Sequence, residues 1–129
     1  MIKRIIITSV ILVLLVGCTE EVAQENPNAP PEFPHVFMGN AFVDGYPIKE
    51  GIVIYAKFGN SQSEIVETLN GRYLNVLVAP KNTSETKGLV TFYLESIDGN
   101  TEKATETFQL KKAREPIIVT MELNFSSYP

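Results

Sequence analysis

The 129-residue chain has no Trp, one Cys (Cys18) and one His (His35). A single thiol excludes an internal disulfide framework, and one Cys with one His excludes a Cys/His zinc site. Basic residues are scarce, 11 against 15 acidic ones, for a formal net charge of −4. Removing Lys3 and Arg4 takes that to −6. A chain of that sign offers no basic stripe, so nucleic acid is not expected as a partner. No Gly-x-Ser-x-Gly is present, and His35 has no second imidazole or thiol to join it. The nucleophile–base pairing of a hydrolase is therefore missing, and no enzyme activity, cofactor or metal is expected. Beside Pro34, His35 reads as an ordinary strand-end residue. Long apolar runs are also missing after position 18, since the first eighteen positions hold thirteen of the apolar residues.

That start has an order of its own. Met1-Ile2-Lys3-Arg4 is short and basic, and residues 5–17 are apolar except for Thr8, Ser9 and Gly17. A basic opening followed by an apolar run of this length is the pattern of a secretory signal peptide. It is short for a stable span, which takes about 20 helical residues across ~30 Å of hydrocarbon. Leu15-Val16-Gly17-Cys18 resembles the lipobox of bacterial-type lipoproteins at every position. The resemblance implies a diacylglyceryl group on the Cys18 sulfur, removal of residues 1–17, and a further acyl chain such as palmitate on the new amino terminus. Two or three chains at ~0.8 kcal/mol per buried methylene anchor firmly where one holds marginally. The alternative is an uncleaved signal anchor in which Cys18 is an inert thiol.

Residues 19–34 contain four Glu, no Lys or Arg, and four of the eight prolines. With no apolar period, such a segment cannot offset its ordering entropy by burial. Residues 18–34 therefore read as the lipidated Cys and an extended spacer. At about 3.1 Å per residue, sixteen residues reach ~50 Å from a bilayer. A docking motif for a proline-binding partner is the alternative.

From position 35 the pattern becomes β-rich to the end at 129. Seven runs stand out, at 35–43, 51–58, 63–69, 72–78, 89–97, 101–110 and 117–125. Asp44-Gly45, Asn70-Gly71 and Asp98-Gly99-Asn100 separate several of them, and Asn-Gly or Asp-Gly favours hairpin turns whose central residues need positive φ. Val119, Met121, Leu123 and Phe125 alternate with Thr120, Glu122 and Asn124, and Val90, Phe92 and Leu94 share a face. This spacing predicts an all-β, seven-stranded antiparallel β-sandwich. Phe37-x-Gly39, Asp44-Gly45-x-Pro47, Gly51 with Ile54-x-Ala56, and Asn70-Gly71-Arg72-Tyr73 together resemble the opening half of a transthyretin-like or carboxypeptidase-regulatory-like domain. The resemblance implies a prealbumin-like or Ig-like sandwich and a surface location, with no single activity. Residues 73–78 do not alternate cleanly, which points to a bulge there.

Few other residues suggest chemistry. Glu64 and Glu67 fall on opposite faces of one run, while Glu102 and Glu106 share a face about 13 Å apart, too wide for a glycosidase pair. Both sets read as solvated, with Lys57 and Lys103 as neighbours. Asp44 and Asp98 are calcium candidates, but neither lies among the alternating oxygen ligands of an EF-type loop, and turn formation explains both. Domains related to the resembled family sometimes carry a Lys–Asn isopeptide bond. Glu95 and Asn124 lie on late runs as that bond wants, but 35–43 contains no Lys and Asn124 falls on the outer face. Asn82-Thr83-Ser84 and Asn124-Phe125-Ser126 have the form of glycosylation sequons. The polar loop 79–88, with Lys81, Asn82 and Lys87, is long for a hairpin and is the candidate binding segment, an idle loop being the alternative.

The expected function is that of a lipid-anchored, envelope-exposed module with a non-catalytic binding or structural role. It would be held to a cell membrane or outer membrane through the lipid on Cys18, with its domain facing the periplasm or exterior and an unidentified protein or glycan as partner. The alternative is a small solute- or carbohydrate-binding lipoprotein serving a membrane transporter or surface enzyme.

Overall fold

The computed structural model describes residues 33–82 and 85–129. The chain runs β1 (His35–Val43), β2 (Tyr46–Pro47), β3 (Val53–Phe58), β4 (Ser61–Gln62), β5 (Val66–Glu67), β6 (Arg72–Val78), a 3₁₀ turn (Glu85–Lys87), β7 (Leu89–Glu95), β8 (Thr101–Gln109), β9 (Ile117–Thr120) and β10 (Leu123–Phe125). No α-helix occurs among the described residues. The strands form two five-membered sheets, one of β1, β2, β6, β9 and β10 and the other of β3, β4, β5, β7 and β8.

The core lies between the sheets. Phe37, Ala41, Tyr73, Val76, Val78 and Leu123 of the first sheet meet Ile54, Ala56, Val90, Phe92, Leu94 and Ala104 of the second. Phe37 is its centre, with Phe92 at 5.1 Å and Phe108 at 5.0 Å between ring centroids, both edge-on as the ring quadrupoles prefer.

Each of the seven runs contains a strand, yet the described residues form ten strand segments. β2 and β4 are short returns after the turns at Asp44-Gly45 and Gly59-Asn60. The third run is interrupted because side chains replace part of its ladder. Ser63 Oγ accepts from the Ala56 N–H at 2.8 Å, and Thr68 Oγ1 accepts from the Ile52 N–H at 3.1 Å while donating to the Lys49 carbonyl at 2.6 Å. The last run breaks at Met121-Glu122 into β9 and β10.

The sandwich is also not wholly antiparallel. β9 and β10 lie parallel to β1, with His35 opposite Ile117 and Ala41 opposite Leu123. β1 thus sits centrally, with β6 and β2 antiparallel on its other edge. Alternation within one run fixes which face is buried and carries no information on the direction of its neighbour.

The bulge falls in β6, as expected. Phe37 pairs with Val76 and Gly39 with Tyr73, so β6 spends one residue more than β1, and Asn75 there has φ of 60°. The extra residue resets the phase, and Tyr73, Val76 and Val78 all face the core.

The Asn70-Gly71 turn has φ of 53° and 71°, closed by Leu69 and Arg72 exchanging N–H···O bonds at 3.0 Å. A Cβ on Gly71 would also stand 3.2 Å from the Pro47 Cβ. Gly71→Val is expected to destabilise the domain by about 2 kcal/mol from backbone strain. A urea midpoint equal to that of the parent would show that the turn does not demand positive φ at Gly71.

Candidate functional site

The Asp44-Gly45 turn, with φ of 52° and 76°, turns the chain back along β1 and leaves Tyr46 73% exposed beyond the sandwich end. The segment after β10 comes to the same place, since the Asp44 N–H donates to the Phe125 carbonyl at 2.9 Å. Tyr128, 37% exposed, accepts at its hydroxyl from the Lys49 N–H at 3.0 Å. The Lys49 Nζ stands 5.2 Å from the centroid of the same ring. Between these groups opens a cleft of about 420 Å³, walled by Asp44, Tyr46, Pro47, Lys49, Ser126 and Tyr128 among others. It combines two partly exposed aromatic rings with a carboxylate, an ammonium and serine hydroxyls. That is the equipment for holding a small ligand with one apolar face and a hydroxylated rim. Tyr46 beside Pro47 and Tyr128 next to the terminus escape sequence reasoning because they are 82 positions apart. The Asp-Gly turn was the legible half.

The loop 79–88 is built differently. Its centre is Glu85, buried and only 5% exposed, whose carboxylate accepts from Ser61 Oγ and from the Lys81 N–H, each at 2.7 Å. Asn82 caps the 3₁₀ turn, its Oδ1 accepting from the Glu85 N–H at 3.0 Å. Asn82 therefore has a structural task, and the two lysines are exposed. The Lys87 carbonyl accepts from the Gln109 amide at 2.6 Å, which ties the loop to β8.

The carboxylates of β8 are not solvated as expected. Glu102 and Glu106 are half-buried on the same strand face as the buried Ala104, because β10 of the opposite sheet closes over them. Glu106 accepts from the Asn124 N–H and from its side-chain amide, both at 2.7 Å, and Glu102 accepts from Ser126 Oγ at 2.6 Å. Asn124 is thereby half-buried and engaged with Glu106 rather than Glu95. Lys57 lies over the Tyr93 ring at 4.7 Å, where Tyr93 stacks on Tyr55 at 5.6 Å. Burial, aided by Glu95 and Tyr93, raises the Tyr55 phenol above its usual 10.0. Asp44 and Asp98 sit at turns as expected. Among the described residues no three of His, Cys, Asp or Glu are grouped to hold a metal.

His35 does begin β1, but it is 1% exposed, stacked 6.3 Å from Phe37 and edge-on to Phe108 at 5.8 Å. Neither ring nitrogen has a hydrogen-bond partner. Burial lowers its pKa below the ordinary 6.5, so the neutral ring is favoured in the fold. The stability from that neutral ring is complete above pH 6.5 and is lost as pH falls below it, where the unfolded chain takes up the proton first. His35→Leu is expected to remove that part of the acid slope. It should also raise stability at pH 7.5 by about 1 kcal/mol, because two unsatisfied polar atoms go. Urea melts of both chains at pH 7.5 and 5.5 check this, and parallel pH dependences would count against it.

Cys18, its tetrad, the signal and spacer readings up to residue 32, and Thr83 and Ser84 of the first sequon lie outside the described residues. Comparison with protein-family models, with curated proteins and with solved structures finds no match for this chain.

Proposed function

We propose that this chain is a lipid-anchored module of a cell envelope, held through Cys18, whose β-sandwich binds a partner without catalysis. Its finer architecture is transthyretin-like or Ig-like, seven-stranded when the short returns β2 and β4 are left out of the count and β9–β10 are taken as one interrupted strand. The observation that carries the binding role is the position of the tyrosine cleft. Val43, which lines it, ends β1, whereas the chain enters at His35, so the cleft lies about 25 Å along the strand from the point of attachment. A tether entering at one end presents the other end outward.

The second reading, a small solute- or carbohydrate-binding lipoprotein serving a transporter or surface enzyme, is favoured by the paired tyrosines. Sugar rings offer one apolar face and a hydroxylated edge, which matches this mixture of groups. Intact mass of the protein taken from its native membranes should show loss of residues 1–17 and added acyl mass, and an unmodified Met1 start would sink the anchor. For the cleft, tyrosine emission is readable because Trp is absent. Titration with mono- and disaccharides should change that emission in the parent and not in Tyr46→Ala. No change in the parent with any sugar would return the partner to the protein class.

A further inference from the structure

The charge of the domain is divided between its two ends. The described residues of loop 79–88 and the loop 110–116 lie side by side at the end where the chain enters. The Leu110 N–H donates to the Gly88 carbonyl at 3.0 Å, and the Ile117 N–H donates to the Pro34 carbonyl at 3.1 Å. These loops carry Lys81, Lys87, Lys111, Lys112 and Arg114, five of the nine basic residues after position 18, and all five are exposed. Against them stand Glu115 and Glu85, the latter buried with both carboxylate oxygens occupied. The rest of the described chain has four basic residues and nine acidic ones.

Exposed apolar side chains lie among these cations. Leu77, Leu89 and Ile118 are 45%, 50% and 69% exposed, each within one residue of a strand terminus at this same end. A broad cationic surface edged with apolar side chains suits the headgroup and acyl boundary of a bilayer. Each basic residue near an anionic surface strengthens attachment roughly fivefold. A short acidic peptide would need few of these groups and none of the apolar rim.

We propose that this basic end seats on an anionic lipid surface, holding the domain upright with the tyrosine cleft pointing away. The proposal rests on the membrane-anchored reading for how the chain is brought there. The full chain, as isolated from its host, is reconstituted in vesicles of phosphatidylcholine alone or with 30% phosphatidylglycerol, and amide hydrogen exchange is followed. Peptides spanning 79–88 and 110–116 are expected to exchange several-fold more slowly on the anionic vesicles only, while a peptide spanning 44–51 is unchanged. One molar salt, with a Debye length of about 3 Å, should abolish the protection. So should replacement of the five basic residues by Gln, a surface change that leaves the core intact.

Equal exchange on both vesicles would overturn the proposal. So would protection already present without vesicles, which would mean that the acidic segment 19–34 covers this end. Intact mass of the same preparation reads acylation separately. An unacylated chain still held by its uncleaved apolar start would sink the lipid anchor and leave the seating measurable.

Discussion

Gly39→Ala is expected to take a large share of the domain's stability. A Cβ at this position would overlap the carbonyl oxygen of Met121 and come within 2.8 Å of its carbon. Both contacts are with backbone, so no side chain can swing aside. The backbone of 121 is itself fixed, since its N–H donates to the Met38 carbonyl at 2.8 Å and its carbonyl accepts from the Tyr73 hydroxyl at 2.6 Å. Separating β1 from the β9–β10 lane to admit a methyl group would break pairing on both sides of Gly39. The loss is about 3–5 kcal/mol, combining overpacking with strain at a φ of 155°. That is a large share of the 5–15 kcal/mol typical of a domain. Thermal melts by far-UV circular dichroism decide it, and a midpoint within a few degrees of the parent would show that the crossing is looser than described.

The second large effect is expected at Tyr73, where two substitutions separate packing from hydrogen bonding. The ring is fully buried, and burial, reinforced by Glu106, pushes its phenol well above the usual 10.0. Tyr73→Ala should lose about 3–5 kcal/mol, as truncation of a large core side chain does. Tyr73→Phe keeps the ring and strips the Met121 carbonyl of one donor, a loss of about 1–3 kcal/mol. At roughly 4–8 °C per kcal/mol for a domain of this size, the two melts are readily resolved. If Phe cost as much as Ala, the hydroxyl would be the main support. If Phe cost nothing, the bond at the crossing would be idle.

These positions mark what the residues disclose in order and what they do not. The Asn70-Gly71 hairpin was legible because its requirement is local: two neighbouring residues at positive φ. The bulge at Asn75 was legible as broken alternation. Gly39 was visible only as part of a resemblance, because the carbonyl that excludes its Cβ comes from 82 positions later. The breaks at Ser63 and Thr68 were missed for a related reason. Alternation counts side chains as facing in or out, whereas these two complete the backbone ladder themselves. His35 read as a strand-end residue and is one, but the aromatic rings that bury it arrive from β1 and β8 together. For the candidate site, Asp44 and Pro47 belonged to a visible turn motif, while Tyr128 was invisible without the fold. The overall acidity concealed a basic end, because net charge sums over a surface that the topology divides.

The central place of β1 also sets when the domain can form. Its second edge is filled by residues 117–125, some 80 positions further along the chain. Contacts spanning some 80 residues close large loops, and their entropy is spent before the pairing is gained. A chain emerging amino terminus first therefore carries β1 with one edge open until residues 117–125 arrive. The pairing that completes this sheet thus forms late, and the open edge of β1 remains accessible to a holding chaperone until residues 117–125 have been made.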